Sequence, residues 1–170
     1  MELRLRRAVP GDARQIARVH VETWRAAYAH VFPPDYLEGL SVDERTELWT
    51  QTLSGGTYDV FVAELDRRVE GFASAGPTED EDEGAPPGEL YAIYVDAAAW
   101  GMGLGRALLA RAEQALRDSG FDAAALWVLA DNPRARRLYE AAGWTRDGAS
   151  KPFERGGVVT AVIRYRKRLD

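Results

Sequence analysis

The sequence predicts an α/β layered domain, one mixed β-sheet with helices on both faces. Three observations carry this. Strand-like and helix-like segments follow one another in the order β-αα-β-β-β-α-β-α-β-β, the arrangement that layers helices against a sheet. The 170 residues are 46% apolar, enough to bury one core and about the length of one domain. No internal repeat and no long linker divides residues 1–170, so a single domain is expected.

Each element has its own signal. Residues 2–8 place Leu3 and Leu5 on one face at period two, as an opening strand does. Gly11-Asp12 offers a cap for a helix running to about Ala29, in which Ile16, His20 and Trp24, joined by Ala27 and Tyr28, recur at helical spacing. Pro33-Pro34 ends or breaks that helix. A second helix follows, with Ser41 and Glu44 in capping-box positions and Leu48 and Leu53 behind them. Residues 58–65 and 68–75 read as a hairpin about a tight turn at Asp66-Arg67. Five consecutive acids, Glu79 to Glu83, mark residues 77–88 as a self-repelling, solvated and mobile loop.

Residues 89–96 form the strongest strand pattern, and a glycine-punctuated turn leads from it into a helix over 104–119 that Gly120 ends. The run at 123–129 is apolar enough for a fully buried strand. Asp131-Asn132-Pro133 caps a short helix over 133–142, stopped by Gly143, and the remainder gives two strands around Gly156-Gly157.

Composition removes several functions. No stretch approaches the roughly 18 apolar residues of a membrane helix, and the first ten residues have no apolar signal core. Cysteine is absent, so disulfides, thiolate metal sites and cysteine nucleophiles are excluded. Two histidines, His20 and His30, leave little for a metal cage or a Ser-His-Asp triad. A net charge of −5 argues against nucleic acid, whose recognition rests on neutralising phosphates.

Two units carry chemistry. The first is the strand at 89–95 followed by Gly101, Gly103, Gly105 and a helix, where converging backbone N–H groups and the helix N-terminus suit a pyrophosphate. A merely tight turn gives the same pattern. The nucleoside-triphosphate loop is excluded because Gly105 precedes Arg106-Ala107 instead of Lys-Ser/Thr. The dinucleotide fingerprint fails because Arg106 fills its small sixth position and Asp122 begins the next strand, where an acid should end it. The second unit runs from Asp131 to Trp144. It reads either as an amphipathic helix with an Asx cap and a packed Tyr139, or as a site where Asn132 and Tyr139 face one end of the sheet.

Together these units resemble the Gcn5-related N-acetyltransferase superfamily, and the resemblance spans the chain in order. The family's acetyl-CoA loop, Arg/Gln-x-x-Gly-x-Gly/Ala, is matched by Gly103 and Gly105 within Trp100-Gly101-Met102-Gly103-Leu104-Gly105. Its Asn-x-x-Ala-x-x-(Leu/Phe)-Tyr-x-x-x-Gly-(Phe/Trp) stretch is matched by Asn132, Ala135, Leu138, Tyr139, Gly143 and Trp144. Trp100 departs from the family's Arg or Gln, which implies cofactor binding weakened rather than absent, since backbone amides hold most of the phosphate.

The resemblance implies a sheet of about seven strands with the fourth and fifth splayed. It implies transfer of an acetyl group from acetyl-CoA to a primary amine, by direct attack in a ternary complex and without a metal. Cofactor contacts carry over to Ile93, Tyr94 and Val95, whose free backbone groups pair with the pantetheine arm, and to Gly101, Met102, Gly103, Leu104, Gly105, Arg106 and Asn132. A backbone N–H of the same strand becomes the oxyanion donor. Glu89 matches a glutamate base of several members, or is an exposed strand end. Tyr139 matches the general acid that protonates the leaving thiolate.

The acceptor falls to the first helical region. There Trp24 and Tyr28, with Phe32 and Tyr36, make either an aromatic wall for a flat or cationic group or ordinary core packing. The acidic run either steers a cationic amine or is only a solvated tip. A small-molecule amine is the expected acceptor. A protein N-terminus or lysine, and a non-catalytic CoA-binding module, are the alternatives. A homodimer is common in the family, and a cytoplasmic location fits both acetyl-CoA and the absence of a targeting segment.

Overall fold

The computed structural model describes residues 2–170, so of the expected 1–170 domain only Met1 lies outside the described residues. The chain runs β1 (Leu3–Arg7), α1 (Ala13–Ala27), α2 (Pro34–Glu38), α3 (Val42–Gly55), β2 (Asp59–Leu65), β3 (Arg68–Pro77), β4 (Gly88–Val95), α4 (Leu104–Asp118), β5 (Ala123–Leu129), α5 (Pro133–Ala141), β6 (Thr145–Arg155) and β7 (Val158–Arg168). The strands form one seven-stranded mixed sheet in the order β1-β2-β3-β4-β5-β7-β6, parallel only between β4 and β5. This is the α/β class read from the sequence.

Alternation along β2 shows how the sheet is covered. Phe61 and Ala63 enter the core built on Leu104, Leu108, Leu109 and Leu116 of α4, whereas Val60 and Val62 pack with Ile16 and Val19 of α1. Side chains of a strand point alternately to its two faces, so one strand serves two cores and helices lie on both sides.

Several expectations change in detail. α1 ends at Ala27 with Tyr28 as its cap, ahead of Pro33-Pro34, and that pair instead opens α2, with Pro33 as cap and Pro34 in the first turn, where proline's missing N–H costs nothing. Ser41 caps α3 by accepting from the Glu44 N–H at 3.1 Å. Leu48, however, is 55% exposed, and Trp49 and Leu53 make the inward stripe instead. β3 runs on past the expected 75 to Pro77, where it pairs with Gly88 at the start of β4.

The acidic segment is not the free loop expected from its charge. Asp80 and Asp82 pair with Arg164 at 3.2 and 2.9 Å, the Trp127 indole donates to Asp80 at 3.2 Å, and Tyr58 donates to Glu79. A buried cation 84 residues away in sequence from Asp80 supplies what local repulsion lacks.

Candidate active site

The site begins with a local fault in β4. Ser74 pairs with Ala92 and Ala75 with Leu90, so Tyr91 is an extra residue opposite no partner. Such a bulge bends its strand and re-aims the residues beyond it. On the other side, β4 pairs with β5 only over Gly88↔Ala124, Glu89↔Ala125 and Leu90↔Leu126. Beyond Leu90 the two strands part, as expected for the fourth and fifth strands, and the β5-facing backbone of residues 91–95 has no strand partner.

The gap opens into a cleft of about 890 Å³. Its walls include Ile93, Tyr94, Val95, Gly101, Gly103, Leu104, Gly105, Arg106, Asn132 and Tyr139, together with Trp24 and Tyr28. Of the site residues read from the sequence, Met102 and Glu89 are not on its walls. Met102 is 39% exposed at the turn.

At one end lies the start of α4. The first helical bond is Ala107 N–H to Gly103 C=O at 3.1 Å, which leaves the N–H groups of Leu104, Gly105 and Arg106 outside the ladder. Gly101 and Gly103 have φ of +80° and +86°, the left-handed region that side chains resist. Gly103→Ala should cost about 1–2 kcal/mol of stability and weaken acetyl-CoA binding by tilting those amides. Paired thermal melts and cofactor titrations check both effects.

Trp100 has a structural account. Its indole donates to the Val95 carbonyl at 2.7 Å, and Thr23 Oγ1 donates to the same oxygen at 3.3 Å. The Arg134 guanidinium lies 4.1 Å from the centre of the Trp100 ring. The position that lacks a cation in sequence therefore carries one in space, borrowed from α5.

Helix α5 aims Asn132 and Tyr139. Asn132 caps it by accepting from the Ala135 N–H at 3.1 Å, and its Nδ2 donates to Tyr28 Oη at 3.3 Å. Arg136 donates to the Ala130 carbonyl at 2.9 Å and to Tyr165 Oη at 3.1 Å, and Tyr165 in turn donates to Glu140 at 2.9 Å. The short helix is thereby fastened to β7. Tyr139 is buried, its ring 6.4 Å from those of Trp144 and Tyr165. Burial, and then the neighbouring Tyr94, raises its phenol well above the ordinary value of 10, so it keeps its proton at neutral pH.

Glu89 is buried, not an exposed strand end, and accepts from Thr78 Oγ1 at 2.9 Å. Burial raises its carboxyl above the ordinary 4.5, with Asp80 adding to the rise and the Thr78 hydrogen bond opposing it. On the α1 side of the cleft, Trp24 stacks on Phe32 at 5.8 Å and meets Tyr28 edge-on at 4.9 Å. Both Trp24 and Tyr28 are buried and both line the cleft, so core packing and wall are the same residues. His20 lies away from the cleft walls, and burial, aided by Arg45, pushes its pKa down to about 3. It accepts from the Trp49 indole at 3.3 Å as a neutral ring.

Sequence reasoning missed Tyr91, Trp127, Arg134, Lys151 and Phe153 on the cleft walls. Arg134 lies inside the stretch from Asn132 to Trp144 and could have been found there. Lys151 and Phe153 sit on a mostly exposed strand whose pattern gives no sign of a site.

The model of the acetyltransferase (GNAT) family matches residues 21–144. The chain belongs to the GNAT family. It is similar to the uncharacterized N-acetyltransferase YuaI of Bacillus subtilis, 42% identical over 131 residues that cover 76% of this chain and 73% of that one. It also matches a mycothiol acetyltransferase of Beutenbergia cavernae, 51% identical over 61 residues, which are 36% of this chain. The match spans only 20% of that relative's length. In fold this GNAT protein resembles the PaiA N-acetyltransferase of Thermoplasma acidophilum in complex with coenzyme A, with a TM-score of 0.76, 18% identity and 99% of each chain covered. By family it is an acetyl-CoA-dependent acetyltransferase. Among the described residues no helix is long and apolar enough to cross a membrane.

Proposed function

We propose that this GNAT protein transfers the acetyl group of acetyl-CoA to the primary amine of a small molecule bound between α1, β5 and β6. The observation that carries the reading is the single cleft in which the parted β4 and β5, the glycine turn, Asn132 and Tyr139 meet an aromatic chamber. The residues fit acetyl-CoA on three counts. The edge of residues 91–94, which pairs with no β5 residue, is a strand template for the pantetheine amides, while the Val95 carbonyl is taken by Trp100 and Thr23. The free N–H groups at the start of α4 suit the pyrophosphate. Arg106, Arg134 and Arg137 on the same walls suit the remaining phosphate charge.

Acetyl-CoA supplies an activated thioester. A backbone N–H of the parted strand donates to its carbonyl oxygen where negative charge grows. Tyr139, protonated at neutral pH, hands its proton toward the departing sulfur. The amine must lose a proton, and Glu89, the buried carboxylate at the start of β4 and behind the cleft walls, takes it through intervening water. Its raised carboxyl sets the sign of the pH dependence. Activity needs the carboxylate, so kcat/KM falls as pH drops, with a midpoint above 4.5. Glu89→Gln should lower the rate and remove that acid limb, as a pH–rate profile would show.

A small acceptor is favoured over a protein one by the chamber's aromatic lining. Trp24, Tyr28, Trp127 and Phe153 wall it, and the β6–β7 turn sits so close over Tyr36 that a Cβ on Gly156 would lie 2.7 Å from that side chain. Relatives named mycothiol acetyltransferase add weight to a small molecule. Thiol release from acetyl-CoA with a panel of small amines and of peptides tests the reading, free of background from protein cysteine. Release with small amines is expected, and release with peptides alone would overturn it. A cytoplasmic site of action goes with acetyl-CoA as co-substrate.

A further inference from the structure

We propose that the acceptor amine carries a carboxylate and that Lys151 binds it. The inference rests on the acetyl-transfer reading and names its acceptor class.

The cations on the cleft walls fall into two sets. Arg106 on α4 and Arg134 and Arg137 on α5 stand where phosphates are expected. Lys151 stands alone on β6, sharing the chamber with Trp127 and Phe153. Its ammonium lies 4.1 Å from the centre of the Trp127 ring. That ring is fixed, because its indole N–H donates to Asp80, so the lysine rests on a rigid platform.

The nearby acids do not neutralise it. Asp80, Asp82 and Asp147 converge on Arg164. Glu89 accepts from Thr78 and makes no ion pair with Lys151, whose charge is only the smallest of the influences on that carboxyl. The contrast with the chain's other lysine is sharp: Lys167 is bonded to Glu113 and to the Ala142 carbonyl. Lys151 is therefore a cation parked on an aromatic face, with its charge available to the chamber.

The chemistry favours a carboxylate over a phosphate. One ammonium is a point charge without the forked donors or backbone nest that dianions use. The acidic residues 79–83 beside the chamber would also repel a second negative charge. An acceptor with its carboxylate on Lys151, an apolar or aromatic body against Trp24 and Tyr28, and its ammonium directed toward Glu89 behind the lining fits the chamber's charges.

Phenylalanine and phenethylamine differ only in the carboxylate and serve as probes. The wild type should acetylate phenylalanine with kcat/KM roughly ten-fold higher or more. Lys151→Gln should lose at least about ten-fold more on phenylalanine than on phenethylamine, and Lys151→Arg should restore most of the preference. Equal losses on the two amines, or no preference in the wild type, would overturn the proposal. Binding of phenylalanine to the CoA-loaded protein, followed by calorimetry, separates the two readings. Lys151-dependent binding without turnover of any amine keeps the carboxylate site and removes the acetyl-transfer reading. Turnover with binding indifferent to Lys151 does the reverse.

Discussion

Tyr139→Phe is expected to lower kcat by about 10²–10³-fold while changing acetyl-CoA affinity by less than about three-fold. The substitution removes one oxygen and keeps the ring against Trp144 and Tyr165, so the fold and the wall it forms persist. What is lost is the proton for the departing sulfur. Burial keeps that phenol protonated, and the deficit should therefore hold across neutral pH instead of appearing on one limb. Single-turnover thiol release beside a binding titration separates the two effects. A parallel fall in affinity would make Tyr139 a packing residue, and unchanged turnover would take it out of the chemistry.

The second large effect concerns stability. Arg164 is only 5% exposed and holds Asp147 at 2.5 Å, Asp82 at 2.9 Å and Asp80 at 3.2 Å. Arg164→Leu leaves Asp80 and Asp82 without their cation and Asp147 with only Arg166 at 3.4 Å, at a cost of about 3–5 kcal/mol for a broken buried pair. For a chain of this size that is a fall in Tm of roughly 6–20 °C. Activity should fall as well, because the loop that Arg164 anchors brings Thr78 to Glu89. Thermal melts of Arg164→Leu and Arg164→Lys check this, and a Tm within about 2 °C of wild type for the leucine variant would show the cluster to be solvated.

These two residues also mark what a reader of the sequence can and cannot see. Tyr139 is legible because its spacing from the Asn132 cap is local: one helix fixes both, and the next strand comes directly after it. The glycine turn is legible because a left-handed backbone needs that residue type. The layer order is legible because period two and helical spacing are local patterns. Arg164 is not legible, since its partners lie 17 and 84 residues away and only the sheet brings them together. The bulge at Tyr91 is hidden too. ELYAIYVD reads as one unbroken strand, and an extra residue appears only when β3 is laid beside it. Trp100 reads as a loss at the phosphate loop, because Arg134 reaches its ring through space from another helix. Lys151 is silent for the opposite reason: an exposed lysine on an exposed strand is the commonest of surfaces until Trp127 is found beneath it.

Everything proposed for the chemistry depends on the gap between β4 and β5 being a coenzyme A site. Thermal unfolding with acetyl-CoA, CoA, NAD and ATP in parallel tests that dependence without any acceptor. A ligand at a hundred-fold excess over Kd adds about 2.7 kcal/mol, which is roughly 5–11 °C for a chain of this length. A shift of that size is expected with acetyl-CoA and CoA, and none with NAD or ATP. No shift with either CoA species, or an equal shift with ATP, would contradict the assignment.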